Sequence, residues 1–120
     1  MKLVVREHET AALRGYLDQR APQLATSAIA IVELMRTVRV AAPGTGAQRA
    51  RARLDQTYLV DVDRDLLDTA VSWTSARVRA LDAIHLASAL RVGAREMLVY
   101  DRRLAEAASA AGLQVLSPGA

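Results

Sequence analysis

Apolar and polar positions change their period several times along the chain, and each change marks an element. From Arg6 to Gln19 the residues Ala11, Ala12, Leu13 and Tyr16 recur at helical spacing, and Pro22 ends the segment. "QLAT" reads as a short strand leading to Ser27, whose hydroxyl suits the N-cap of a helix running toward Ala41. "PGTG" is the clearest loop signal in the chain. A second short helix is expected over Ala47 to Gln56, carrying Arg49, Arg51 and Arg53, and the alternating "YLVDV" is a strand. Asp63 caps a helix through "LLDTAVSW". Asp82 opens another, "AIHLASALRV", which Gly93 closes where a left-handed residue is favoured. "EMLVY" predicts a strand ending on Asp101, "RRLAEAASAAG" a helix stopped by Gly112, and "LQVL" a last short strand.

Helices that alternate with short apolar strands predict an α/β fold with a small parallel sheet covered on both faces. With 120 residues and no repeat or linker, residues 1–120 read as a single domain. A chain of this length buries roughly two-thirds of its unfolded surface, so it needs no staples, and it has no Cys for a disulfide or a thiolate metal site. No apolar run approaches the ~20 residues of a membrane span, and no signal-peptide core is visible; a soluble, cytoplasmic protein is expected. Ligands of parallel α/β folds gather outside the carboxyl ends of the strands. Asp101 sits at such an end, Ser27 follows another, and Glu33 lies less than two turns further on.

Charge adds a direction. The chain has 16 Lys+Arg against 13 Asp+Glu, a net +3, and Lys2 is its one lysine. Arginine grips phosphate in a planar, bidentate way, which points to a nucleic acid or an acidic protein; a genome rich in G and C would favour Arg and Ala in the same way. Aromatic residues make up only 3% and Phe is absent, so a base-stacking platform is not expected.

Three acids stand out against their neighbours: Glu33 in "AIVELM", Asp82 in "LDAIHLASAL" and Asp101 after "MLVY". If they converged, each pair at about 4 Å would repel by roughly 4 kcal/mol at an effective dielectric of 20. Such a cluster persists by binding protons or a hard cation. Carboxylates without thiolates suit Mg²⁺ or Mn²⁺, which keep several waters and can activate one against a phosphodiester. Other roles fit the same residues: Asp82 and Asp101 as helix N-caps, Glu33 as the partner of Arg36. His85, one turn after Asp82, reads as a proton shuttle, a phosphate contact or a structural histidine. Arg102 and Arg103 form either a phosphate clamp or a solvated pair.

"SAIAIVELMRT", "LDAIHLASAL", "VYDRRLAEAASAAGLQVLSP" and the opening "KLVVREHETAALRGYL" together resemble PIN-domain proteins of the VapC type, the ribonuclease toxins of type II toxin–antitoxin modules. The resemblance spans essentially the whole chain in order. It implies a three-layer α/β/α fold, Mg²⁺- or Mn²⁺-dependent endoribonuclease activity on RNA, a cognate antitoxin and a homodimer. It also implies that Glu33, Asp82 and Asp101 are catalytic, metal-holding acids; apart from the resemblance, Arg102, His85 and Ser27 are candidate phosphate or RNA contacts. Phosphodiester chemistry alone does not choose the sugar, and a DNA nuclease would carry the same acids.

One departure matters. Family members begin with a strand ending in an Asp that ligates the metal, whereas "MKLVVRE" falls where their first helix should already have begun. The expectation is a sheet lacking its first strand, with unpaired edges, an open core and a site short of one carboxylate. A valine codon read as a start in a longer protein would produce this opening, and is the preferred account because everything after Met1 follows the family pattern. A genuine truncation would instead leave an inactive PIN remnant that binds antitoxin or dimerises.

Overall fold

Parallel strands cannot be joined by tight turns, so each successive pair needs a crossover, and here the crossovers are helical. The computed structural model describes residues 2–4, 15, 19, 24–41 and 45–119. Among these residues β1 (Lys2–Val4), β2 (Leu24–Ser27), β3 (Tyr58–Val60), β4 (Glu96–Leu98) and β5 (Gln114–Leu116) form one sheet in the order β3-β2-β1-β4-β5, with every pairing parallel. The helices are α1 (Ala30–Ala41), α2 (Thr45–Asp55), α3 (Arg64–Val71), α4 (Ala80–Arg91) and α5 (Arg102–Ala110). The helix expected over Arg6 to Gln19 lies outside the described residues, apart from helical backbone at Gly15 and Gln19.

The middle of the sheet corrects the expectation of a missing first strand. Lys2 and Leu3 pair with Leu24 and Ala25 on one side, and Lys2, Leu3 and Val4 pair with Glu96, Met97 and Leu98 on the other. The physical reason is the backbone. A gap between β2 and β4 would bury two rows of unpaired N–H and C=O groups, and an extended apolar segment of almost any sequence can satisfy them.

Alternation along the strands divides the core into two faces. Ala25, Val60 and Met97 point to the side covered by α3, α4 and α5, where Leu66, Leu86 and Leu104 pack. Leu24 and Leu98 point to the opposite side with Leu116, and Leu59 packs there beneath α1 and α2. The result is a three-layer α/β/α arrangement. Among the described residues no helix is long and apolar enough to cross a membrane.

Local chemistry sets the helix ends. Gly93 (φ +66°) and Gly112 (φ +94°) both follow a helix in the left-handed conformation. Beyond them the amides of Ala94 and Leu113 donate back to the carbonyls of Ala89 and Ala108, each at 3.0 Å, which is the Schellman arrangement. Asp63 caps α3, its Oδ1 accepting from the Leu66 amide at 2.9 Å. The same carboxylate takes a bidentate grip from Arg91 at the end of α4, at 2.8 and 2.9 Å. Arg91 also donates to the carbonyl of Asp61, tying the last turn of α4 to the first turn of α3. Two helices begin two residues ahead of expectation, α2 at Thr45 and α4 at Ala80, because helix starts are set by backbone geometry and not only by the nearest capping side chain.

Two outcomes follow from this packing. Leu86 is fully buried between α4, the sheet and α5, so Leu86→Ala is expected to lower unfolding stability by about 2–5 kcal/mol in a denaturant titration. The hydrogen bonds from Arg91 and the Leu66 amide lower the Asp63 carboxyl from 3.8 to about 2. A lowered acid stabilises the fold above its unfolded value and loses that contribution as pH falls through its folded value. Thermal melts of wild type and Asp63→Asn should therefore differ above pH 3.8 and converge as pH approaches about 2.

Candidate active site

Glu33, Asp82 and Asp101 line one cleft of about 610 Å³, together with Arg77, Arg79, Ala80, Leu81 and Arg103. Each acid comes from a different element: Glu33 from the first turn of α1, Asp82 from the first turn of α4, and Asp101 from the N-cap of α5, just after β4. The cleft lies at the carboxyl ends of the strands, since α1 starts just after β2 and Asp101 follows β4. That is where a parallel sheet with this strand order opens a crevice.

Asp82 is not the cap of its helix. Arg79 occupies the N-cap with no side-chain capping bond, and Asp82 sits three residues further on. Its carboxyl is raised above the usual 3.8, first by burial and then by the charge of Asp101, with Glu33 adding to the same effect. The three acids are thus close enough to feel one another. Asp101, in contrast, does cap: its Oδ1 accepts from the amides of Arg103 at 2.7 Å and Leu104 at 3.4 Å. Capping holds that carboxylate rigidly and leaves it lining the cleft, so the cap role and the site role coexist.

Glu33 does not turn to Arg36. Its Oε1 accepts from Nε2 of His85 at 2.8 Å, across from α1 to α4. The imidazole is nearly inaccessible, 3% exposed, whereas the Glu33 side chain is 41% exposed. Nδ1 of His85 is buried without a hydrogen-bond partner. An N–H there would be left unsatisfied at a cost of about 1–3 kcal/mol, so the ring carries its hydrogen on Nε2 and donates it to Glu33. His85 therefore holds the carboxylate in place, and burial rules out the direct phosphate contact expected of it.

Two further expectations are corrected. Ser27 is completely buried, which puts it out of reach of an RNA strand, and its Oγ accepts from the Ile29 amide at 3.3 Å, shaping the turn between β2 and α1. Arg102 and Arg103 are both exposed at the start of α5, but of the two Arg103 lines the cleft and Arg102 does not. Sequence reading passed over Arg77 and Arg79, which reach the cleft from the connection between α3 and α4. Their only signal was a pair of arginines shortly before the helix bearing Asp82.

Among the described residues no group of three or more His, Asp or Glu side chains stands close enough to enclose a metal ion by itself. What the cleft offers is a set of hard oxygen donors with room for water between them. β1 ends at Val4 and Val5 follows, so the central strand brings no carboxylate at the place where the family pattern has one.

Residues 1–110 match the family model described as PIN domain. Ribonuclease VapC46 of Mycobacterium tuberculosis is 40% identical over 122 residues, covering 98% of this chain and 91% of the relative. Ribonuclease VapC35 of the same species is 37% identical over 126 residues, covering 99% and 91%. Among solved structures, a chain of a toxin–antitoxin complex from Klebsiella pneumoniae superimposes with a TM-score of 0.77 at 21% identity, covering 98% of both chains. FitAcB from Neisseria gonorrhoeae gives 0.65 at 18% identity over the same share. With the fold, the order of its elements and nearly the full length in agreement, the chain belongs to the PIN-domain family and to its VapC branch.

Proposed function

We propose that this chain is the toxin of a type II toxin–antitoxin pair, a cytoplasmic, metal-dependent endoribonuclease that acts as a homodimer and is restrained by a cognate antitoxin. The observation that carries the reading is the meeting of Glu33, Asp82 and Asp101 in one arginine-rimmed cleft. The names of the relatives, ribonucleases at 37–40% identity, support RNA over DNA as the substrate.

The donor set fits Mg²⁺ or Mn²⁺. Such an ion keeps much of its water and needs only one or two carboxylates, so Asp82 and Asp101 would hold it, with Glu33 reaching through a water. When bound, the ion would supply an activated water and offset the phosphodiester charge. The chain's own residues supply the order around it. The α5 cap fixes Asp101, His85 fixes Glu33, and Arg79 and Arg103 present guanidinium groups to the RNA backbone beside the acids.

A second reading rests on a specific observation. No trio of acids closes on an ion by itself among the described residues, and β1 carries no carboxylate at its end. A PIN module of that kind would bind an antitoxin or a second copy without cutting.

Cleavage of single-stranded RNA in Mn²⁺, compared with EDTA, separates the two. Manganese-dependent cleavage that falls more than ~100-fold in Asp82→Asn supports the enzyme, because loss of a direct ligand should exceed the 10–100-fold typical of supporting residues. Absence of cleavage by a folded wild type, with no rise in melting temperature on adding Mn²⁺, supports the binding module. His85→Ala should retain the fold's metal response yet lose ~10–100-fold in activity.

Stability gives an independent check on Asp82. Because its carboxyl is raised in the folded state, the fold binds that proton more tightly than the unfolded chain does. The contribution is present at low pH and lost as pH rises through the folded value. In metal-free buffer Asp82→Asn should thus melt higher than wild type at neutral pH, with the difference shrinking toward about pH 4.

A further inference from the structure

Arg77 lies on the connection between α3 and α4, at the rim of the cleft. Its Nη2 stands 3.0 Å from Oε2 of Glu106 on α5. Glu106 does not itself line the cleft, so the contact engages the guanidinium with a carboxylate outside the cleft lining. The two side chains are 61% and 56% exposed. A pair so open to water is weakly held and screened by salt. The contrast with Arg91 is informative: that guanidinium makes two bonds to Asp63 and a third to a backbone carbonyl, which suits a structural tie. Arg77 has the features of a cation parked near its place of use.

We propose that Arg77 is the contact for an RNA backbone phosphate flanking the scissile one, and that Glu106 holds it at the rim until the phosphate displaces the carboxylate. The inference rests on the ribonuclease reading above and gives it a second binding position. A phosphate group offers guanidinium a bidentate, charge-assisted match, whereas the carboxylate of Glu106 meets it through the one contact at 3.0 Å. Glu106 then acts as an internal competitor. It lowers affinity for an RNA whose phosphate must displace it from Arg77, and leaves unaffected an RNA that brings no phosphate to the rim.

The test is binding of a fluorescent single-stranded RNA oligonucleotide to the full chain in EDTA, where no cleavage occurs, over a series of salt concentrations. Arg77→Ala should weaken binding severalfold and reduce the slope of log affinity against log salt by about 0.7, the value for one phosphate contact on a single strand. Arg77→Lys should keep the slope and lose part of the affinity. Glu106→Gln should tighten binding severalfold in the wild type and change nothing in the Arg77→Ala background. A slope unaffected by Arg77→Ala overturns the phosphate contact. Equal tightening by Glu106→Gln with and without Arg77 overturns the parking role, since Glu106 would then act only through its charge. If the wild type binds no RNA at all, the ribonuclease reading fails and takes this inference with it; RNA bound with an unchanged slope fails the inference alone.

Discussion

The site is referred to one helix that is enclosed by the core over most of its length. In α4 the residues Ala83, His85, Leu86, Ala87, Ser88 and Ala89 are buried, because the helix is wedged between the sheet on one side and α3 and α5 on the others. Small residues let it approach that closely, and Ser88 satisfies its hydroxyl within the helix by donating to the Ile84 carbonyl. A helix so enclosed fixes the direction of its first turn. Asp82 is thereby set at the cleft, and His85 one turn on is set to reach across to Glu33. At the far end the Arg91–Asp63 grip ties the helix to the start of α3. Position at the site is therefore a consequence of core packing several residues away.

The charges in the cleft are arranged at some cost to the fold. Burial and the neighbouring carboxylates hold Asp82 above its ordinary value, which means the protein keeps an acid where ionising it is unfavourable. A sequence selected for stability alone would place a neutral residue there. The charges of His85 and Arg79 act in the opposite direction without cancelling the rise. This arrangement of charges suits the function proposed above, in which the acids would face a cation and the arginines a phosphate backbone.

Local signals in the sequence were the most legible. Gly93, Gly112 and Asp63 act within a few residues of themselves, so their roles as helix stops and cap could be read from order alone. The three acids could be singled out too, since a carboxylate in an apolar run is conspicuous, but whether they meet is decided by the sheet. The rest was hidden for physical reasons. Ser27 has the chemistry of a cap or ligand, yet burial turns its hydroxyl to the next turn of backbone. Of the neighbours Arg102 and Arg103, helical rotation of about 100° per residue sends only the second to the cleft. Arg77 and Arg79 sit in a connection without periodicity, which gives no hint of what it faces. The partner of Glu33 was sought three residues away on its own helix; it lies 52 residues on, a distance that pattern reading cannot bridge.

The central strand shows why fold and chemistry can part company within a family. Strand pairing uses backbone groups common to nearly all residues, so Lys2–Val4 can hold the middle of the sheet whatever side chains it carries. A structure from Klebsiella pneumoniae agrees in fold over 98% of both chains with only 21% identity, which reflects the same tolerance. Metal chemistry has no such tolerance, because a carboxylate is supplied by one side chain at one position. The end of β1 at Val4 thus pairs within the sheet and carries no carboxylate. On the function proposed above, holding a cation would fall to Asp82 and Asp101, the two carboxylates positioned by α4 and by the α5 cap. Those two residues are also the pair whose mutual repulsion the structure maintains, and a bound divalent ion is the species that would relieve it.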